Sequence, residues 1–560
     1  MPNMVRPSSL DNIKLVFTPE QPLGPVSAID SLADASRELY KKYFDQDNYP
    51  IRRLVTSNPI MIIGRRGSGK TDALLSAQLD PRKFDPIVYF KATAAARSFS
   101  QILSQVHQTI QANRVAPLVE SVAELWRVLF WVSIIASIVE SSRDTTDPDI
   151  VVLSEFTKDL GIEKGAENNP YHYLLRAVIV FREKYNKSNL LTKGVDFFGC
   201  FDELKVGGVN ATTAINHALE HLNELNTQAI ILFDSFEAMG ISDPNIKLTL
   251  AGLLKCVGDF QQPGLPAHLR CCIPVESYFY FLDVSSNVLK DFQRGQILHW
   301  HAGELLKIAA IRYAMFIEAW EPESVVSKVR PFDFRLPRSI QPFWYQFLPT
   351  TVRNGANHQL EQTLPYLLRH TQLIPRQLLV ILNAIISSNI SETKLFTGKI
   401  SAETIRPSVR QAENLVTEQI LDSYKEIWPA ARLVLEGTLP NFSRYGGNII
   451  SYSNLHKIFN ASPHRFDGEV YDFSDYVRLL TELGVIGRLI RRDRDYAVAI
   501  FEYSEPHKLL LTPEDTVCVH PAFTEKFRVV AADAVSDEFL PVYPLGSDPQ
   551  ADDRRPAQQW

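Results

Sequence analysis

A chain of 560 residues exceeds one ordinary core, because a domain usually takes about 100–200 residues, so several structural units are expected. Hydrophobic residues make up 45%, charged residues 22% and aromatics 10%, which excludes general disorder, a collagen-like repeat and a disulfide scaffold. The net charge of −6 supplies no overall field toward nucleic acid or anionic lipid, so any basic surface must be local.

The five cysteines are Cys200, Cys256, Cys271, Cys272 and Cys518. None forms a CxxC pair, so neither a zinc site nor a redox dithiol has support, and the compartment is expected to be reducing. The N-terminal residues lack an apolar signal core. The most membrane-like stretch, Val128 to Val139, lies between Arg127 and Glu140. It falls short of the roughly 18–20 apolar residues that a span needs. A buried helix, no membrane and a cytoplasmic location are therefore expected.

In chain order, five prolines in the first 25 positions read as an extended arm, and Ile29 to Phe44 has helical spacing. A β-like run, Ile60 to Ile63, ends in a glycine-rich turn, with a helix predicted from about Gly69 to Leu79. Further strands are predicted at Ile87–Phe90, Ala229–Phe233, Leu269–Ile273 and Gln296–His299, and the region 99–187 reads as mostly helical. Short, unalternating apolar strands separated by helices are the pattern of a parallel sheet covered on both faces.

After residue 300 the spacing is helical. The proline- and aromatic-rich stretch 331–349 reads as a loop, and helices resume at Thr363–Arg369 and Pro375–Ile386. A long helix is predicted from Pro407 toward Glu436, kinked at Pro429. Two shorter helices follow at Ser453–Phe459 and Ser474–Leu483, then a hairpin over Val485–Tyr503. The predicted architecture is α/β: an N-terminal arm and lead helix (1–50), a core with a parallel sheet and a helical insertion (51–300), a helical domain (301–400), a winged-helix-like domain (401–530) and a disordered tail (531–560).

The strongest chemical signal is Gly64-Arg65-Arg66-Gly67-Ser68-Gly69-Lys70-Thr71, a complete GxxxxGKT between an apolar strand and a helix. Its glycines let backbone N–H groups point inward at phosphate oxygens. Lys70 reaches the β/γ-phosphates, and the Thr71 hydroxyl completes a Mg²⁺ shell. Arg65 and Arg66 either touch phosphate or a partner, or stay solvated. Asp234, closing a strand, is the candidate acid for holding Mg²⁺, because carboxylates at strand C-termini lie where ligands bind in open α/β sheets. Glu237 is either the base that polarises the attacking water or a helix N-terminal acid favoured by the dipole.

Gly64–Thr71 together with Ile230-Ile231-Leu232-Phe233-Asp234-Ser235-Phe236-Glu237 resembles the Walker A and Walker B segments of AAA+ and STAND-type P-loop ATPases. The spacing from Asp234 to Glu237 is similar to that of KAP-like members and departs from the adjacent acids of most AAA+ proteins. Ile374-Pro375-Arg376 resembles the step that carries the sensor-2 arginine in origin-recognition ATPases. By that resemblance Arg376 reaches the γ-phosphate; otherwise it is an ordinary helix-start arginine. The segment around Trp300 and Arg312 is similar to the core-to-lid connection, with Trp300 expected to pack and Arg312 to be structural. No asparagine, threonine or arginine stands at the sensor-1 position, leaving Glu276 and Ser277 as weak substitutes.

The resemblance implies an ATP- and Mg²⁺-dependent ATPase that acts as a molecular switch on a partner protein or effector, with self-assembly as one form of partnership. It points to a prokaryotic setting such as antiphage defence or DNA maintenance. The alternative is an ATP-gated DNA-binding protein of initiator or loader type. The presumed recognition helix carries acids beside its single arginine, Arg478, and the hairpin sets Arg488, Arg491, Arg492 and Arg494 against Asp493 and Asp495. Nucleic-acid contact and protein docking both stay open on that charge pattern. His520 is expected to be structural.

Overall fold

In a computed structural model the described residues are 13–26, 61–75, 84–91, 104, 119–143, 146–162, 170–187, 205–206, 208–234, 244–260, 264–276, 295–354, 359–393, 399–466, 468–504, 509–529 and 539–548. The lead helix at 29–44, the end of the helix after the P-loop, Glu237 and Ser277 lie outside them. The chain divides into two compact units, one of Arg53–Gly64 and Lys70–Ile297, the other of Met1–Arg52, Arg65–Gly69 and Leu298–Trp560.

In the first of these units, the apolar segments read from sequence form one sheet. Its strands are β1 (Met61–Gly64), β2 (Ile87–Lys91), β3 (Ala229–Asp234), β4 (Ala267–Pro274) and β5 (Gly295–Ile297), in the spatial order β2-β3-β4-β1-β5. Every neighbouring pair is parallel. β1 and β3 are buried at every position, which explains the lack of alternation in their sequences. The fifth strand ends at Ile297, two residues short of its predicted end.

The 23-residue helix Val119–Ser141 lies in the core of this unit. By length and composition its stretch Val122–Ser141 could cross a membrane, but 78% of the apolar window is buried inside the fold, so it is a core helix. Phe130 meets Phe233 of β3 edge-on, with ring centroids 6.0 Å apart. Against helix Pro244–Asp259 the approach is close: a Cβ on Gly252 would come within 2.4 Å of Val122 Cγ1. Trp126 Nε1 donates to the Thr249 carbonyl at 3.1 Å, so this fully buried ring leaves no polar atom unsatisfied.

The second unit differs from the sequence expectation at its start. The proline-rich start is not an extended arm over its described part: residues 13–16 are helical, and Phe17 and Leu23 are fully buried. Trp320 Nε1 donates to the Phe17 carbonyl (2.7 Å), Asn383 Oδ1 accepts from the Leu23 N–H (2.8 Å), and Arg312 donates to the Leu23 and Pro25 carbonyls (3.3 and 2.9 Å). Arg312 is thus structural, as expected. Ile13, Val16 and Phe17 share one helical face, an apolar pattern that the prolines obscure.

Helices Ala302–Trp320, Glu323–Val329, Thr363–Arg369, Pro375–Thr393 and Ala402–Ser423 follow. The predicted loop at 331–349 instead contains helix Ile340–Phe347, whose Phe343 and Trp344 are buried. The predicted long helix is two, Ala402–Ser423 and Ala431–Thr438; the first starts at its Ser401 cap and carries Pro407 inside. Helices Tyr452–Asn460 and Phe473–Glu482 precede the hairpin of Ile486–Arg492 and Ala497–Ile500. Strands Ile449–Ser451 and Thr516–Val519 extend this sheet on one side. On the other, Val542–Pro544 pairs in parallel with Ala497–Ala499. That strand corrects the disordered tail: Leu540 and Val542 are apolar and buried, and they hold part of the tail on the sheet.

Candidate nucleotide-binding site

β1 delivers Gly64, its buried last residue, to the C-terminal edge of the parallel sheet, the edge where β3 delivers Asp234. Between Gly64 and helix Lys70–Leu75 the chain turns through Gly67 and Gly69, with φ of +87° and +86°. Left-handed backbone at both positions requires glycine. Where such residues alternate with ordinary ones, successive N–H groups turn to one concave side and form an anion cradle.

Within the sheet-bearing unit, two motif residues are held on the sheet edge. Lys70 is buried, and its Nζ donates to the Gly64 carbonyl at 2.9 Å. Thr71 Oγ1 donates to Asp234 Oδ2 at 2.6 Å, a bond spanning 163 residues of sequence. Asp234 is itself buried. Cys272 Sγ donates to the Lys70 carbonyl at 3.4 Å. Burial, followed by the Asp234 charge, pushes the Cys271 and Cys272 thiols well above the usual range, so both stay protonated and inert.

Within the other unit, the loop residues 65–69 are tied to side chains far along the chain. Arg376 donates its backbone N–H to the Gly67 carbonyl at 3.3 Å, and its Nε to the Val26 carbonyl at 3.3 Å. Trp300 Nε1 donates to the Ser68 carbonyl at 2.7 Å. Arg65 is buried: its guanidinium donates to Gln372 Oε1 and to the Glu482 carbonyl, each at 3.1 Å, and lies over the Tyr503 ring. Solvation therefore fails for Arg65, while Arg66 is exposed. Ser68 Oγ is buried with no hydrogen-bond partner among the described residues.

The structure thus pairs Lys70 with Gly64, Thr71 with Asp234, and Arg376 with Gly67. Trp300 does more than pack, since it anchors the loop backbone, and Gln372 was not foreseen at all. Glu276 is buried after β4. His520 is structural: it caps helix Pro521–Thr524 through the Ala522 N–H (3.2 Å) and lies 3.2 Å from the Thr371 carbonyl.

No protein-family model and no curated protein sequence matches the chain. Among solved structures it is similar to the Aeropyrum pernix ORC2 protein in its ADPNP–ADP complexes, at 13% sequence identity and a TM-score of 0.34, covering 88% of this chain and 91% of that one. At that distance nothing about the chemistry of this chain follows from the likeness.

Proposed function

We propose that this chain binds ATP with Mg²⁺, hydrolyses it, and works as a nucleotide-dependent switch on a partner protein. The observation that carries this reading is the Thr71–Asp234 hydrogen bond. A hydroxyl and a carboxylate held together at the edge of a parallel sheet, directly after a GxxxxGK turn, are the hard oxygen donors that Mg²⁺ takes. The left-handed glycines and the Ser68 hydroxyl, unpartnered among the described residues, fit a phosphate in the same loop. When bound, Mg²⁺ would neutralise charge building on the β- and γ-phosphate oxygens.

The remaining chemistry belongs to the chain. Lys70 offers a compact cation to the β/γ-phosphates. Arg376, fixed through its own N–H on the loop, offers a planar guanidinium to the γ-phosphate. Capture by phosphate competes with its bond to Val26, so the two nucleotide states differ in a contact to the N-terminal segment. Differential contacts of this kind are what any switch requires. Glu237 would orient the attacking water.

A protein partner is favoured over nucleic acid because two of the five arginines on the recognition helix and hairpin are already paired within the chain. Arg478 pairs with Glu482 at 2.6 Å and lies over Trp428, and Arg491 pairs with Asp493 at 2.9 Å. Arginines committed to their own chain contribute little to phosphate-backbone affinity. Salt-dependent duplex binding in a filter assay would instead favour the ATP-gated DNA-binding alternative. Self-assembly is read by light scattering with a nonhydrolysable ATP analogue. The central test is calorimetry with ATP and Mg²⁺ together with phosphate release. Lys70→Ala should weaken binding and abolish turnover; Glu237→Gln should bind normally and turn over slowly. Normal turnover by Glu237→Gln would remove it as the base, and no heat of binding with wild-type protein would end the proposal.

A further inference from the structure

Far from the P-loop in sequence, helix Ala211–Glu224 carries His217 and His221 one turn apart, on the face it turns toward the start of helix Pro148–Asp159. We propose that Asp147, Asp149 and His221, with His217 as fourth ligand, form a site for a divalent transition-metal ion of the zinc class.

Three of the four ligands stand together. Asp147 caps its helix: Oδ1 accepts the Asp149 N–H at 2.9 Å, which fixes the carboxylate, and Oδ2 lies 3.3 Å from His221 Nδ1. Asp149 Oδ1 lies 2.6 Å from His217 Nδ1. One potential ligand atom each from Asp147, Asp149 and His221 lies within 4.8 Å of the other two, and the same holds for Asp149, His217 and Glu220. Asp149 is common to these two overlapping groups, and His217 would join the first one as its fourth ligand by a side-chain movement.

Zinc–nitrogen and zinc–oxygen bonds of about 2.0–2.2 Å at a tetrahedral angle separate neighbouring ligand atoms by about 3.4 Å. The His221–Asp147 pair already stands at that spacing. The His217–Asp149 pair must open by about 0.8 Å, within the reach of side-chain torsions without backbone movement. Two imidazoles and two carboxylates select zinc-class ions over magnesium and calcium, which prefer all-oxygen shells. A coordinating Nδ1 offers its lone pair, so each neutral ring would carry its one hydrogen on Nε2. The histidines and aspartates are 12–29% exposed at their side chains, leaving an entry path, while Glu220 at the rim is 66% exposed.

The test uses tag-free, full-length protein stripped with chelator and titrated with Co²⁺ as an optical stand-in for zinc, in excess Mg²⁺. One equivalent of Co²⁺ should develop a visible ligand-field band that Zn²⁺ then bleaches. His221→Gln and Asp149→Asn should each weaken binding at least about tenfold, whereas Lys70→Ala should not change it. Zn²⁺ should raise the melting temperature of the wild type but not of the His217→Gln/His221→Gln double variant. Asp149 lies in the first turn of its helix, so if its variant fails to fold, the two histidines, which cap nothing, carry the test. Absence of the band at stoichiometric Co²⁺, or unchanged affinity in the double-histidine variant, overturns the proposal.

Discussion

A methyl group at position 67 has no room. The Cβ would lie 2.9 Å from Cβ of Arg376, on a backbone whose φ of +87° already disfavours any side chain. Gly67→Ala should therefore cost about 1–3 kcal/mol of stability. It should also weaken ATP binding, although Lys70, Thr71 and Asp234 are untouched. Calorimetric titration beside thermal melts reads both, and a variant as stable as wild type would show that the loop and Arg376 are not in register. The motif itself is legible because its chemistry dictates a fixed local spacing. Gln372 is not: it meets Arg65 across 307 residues, and no pattern announces a partner at that separation. Glu237, the most consequential acid read from sequence, lies outside the described residues.

Single elements show where sequence patterns compete. In Ile340–Phe347 the buried Ile340, Phe343, Trp344 and Phe347 follow helical spacing. Pro342, which argued for a loop, falls in the first turn, where the missing N–H costs nothing. Trp344 is then fixed by stacking on Tyr313, with ring planes 3° apart, and by its Nε1 bond to the Leu306 carbonyl. Helix Ala402–Ser423 instead carries a buried acid, Glu413, hydrogen-bonded to His370. Burial pushes the Glu413 carboxyl up to about 8, against the opposing pull of Arg369 and Arg410. Burial and then Arg369 push His370 well below 6.5, opposed by Glu361 and Glu525. Below about 8 the pair is thus neutral, a protonated carboxyl against an uncharged ring. Between about 4.5 and 8 the folded chain keeps a proton at Glu413 that the unfolded chain releases, so this group's stabilisation is lost as pH rises through that window. His370 acts oppositely: below 6.5 the unfolded chain gains a proton that the buried ring refuses, so stability falls as pH drops. Glu413→Gln removes only the first effect. Relative to wild type the variant should gain stability between pH 5 and pH 9, by a few kcal/mol at most. Denaturant melts at three pH values check this, and a pH-independent difference would mean that Glu413 is ionised throughout.

At the scale of the whole chain, sequence periodicity reveals which segments are strands and that they run parallel, but not their spatial order. β4 lies between β1 and β3, an arrangement set by long-range pairing that local pattern does not encode. The order matters because it leaves β1 and β3 non-adjacent while Thr71 and Asp234 still meet at the sheet edge. A ligand held there is linked thermodynamically to the folding of the unit that contains it. That unit, Arg53–Gly64 with Lys70–Ile297, has about 240 residues. Nucleotide at a hundred times its dissociation constant adds about 2.7 kcal/mol. For a unit of that size the expected rise in melting temperature is roughly 5–10 °C. A chain of two compact units need not unfold in one step, so the shift is best read segment by segment, as slowed hydrogen exchange in β1, β3 and helix Lys70–Leu75. Chelating Mg²⁺ should shrink the protection by removing the cation proposed to bind at Thr71 and Asp234, and Asp234→Asn should reproduce that loss without chelator. Lys70→Ala should abolish it. His221→Gln should leave it intact, since the proposed zinc-class site is separate from the nucleotide loop. Protection of these segments that survives in Lys70→Ala would mean that nucleotide binds elsewhere.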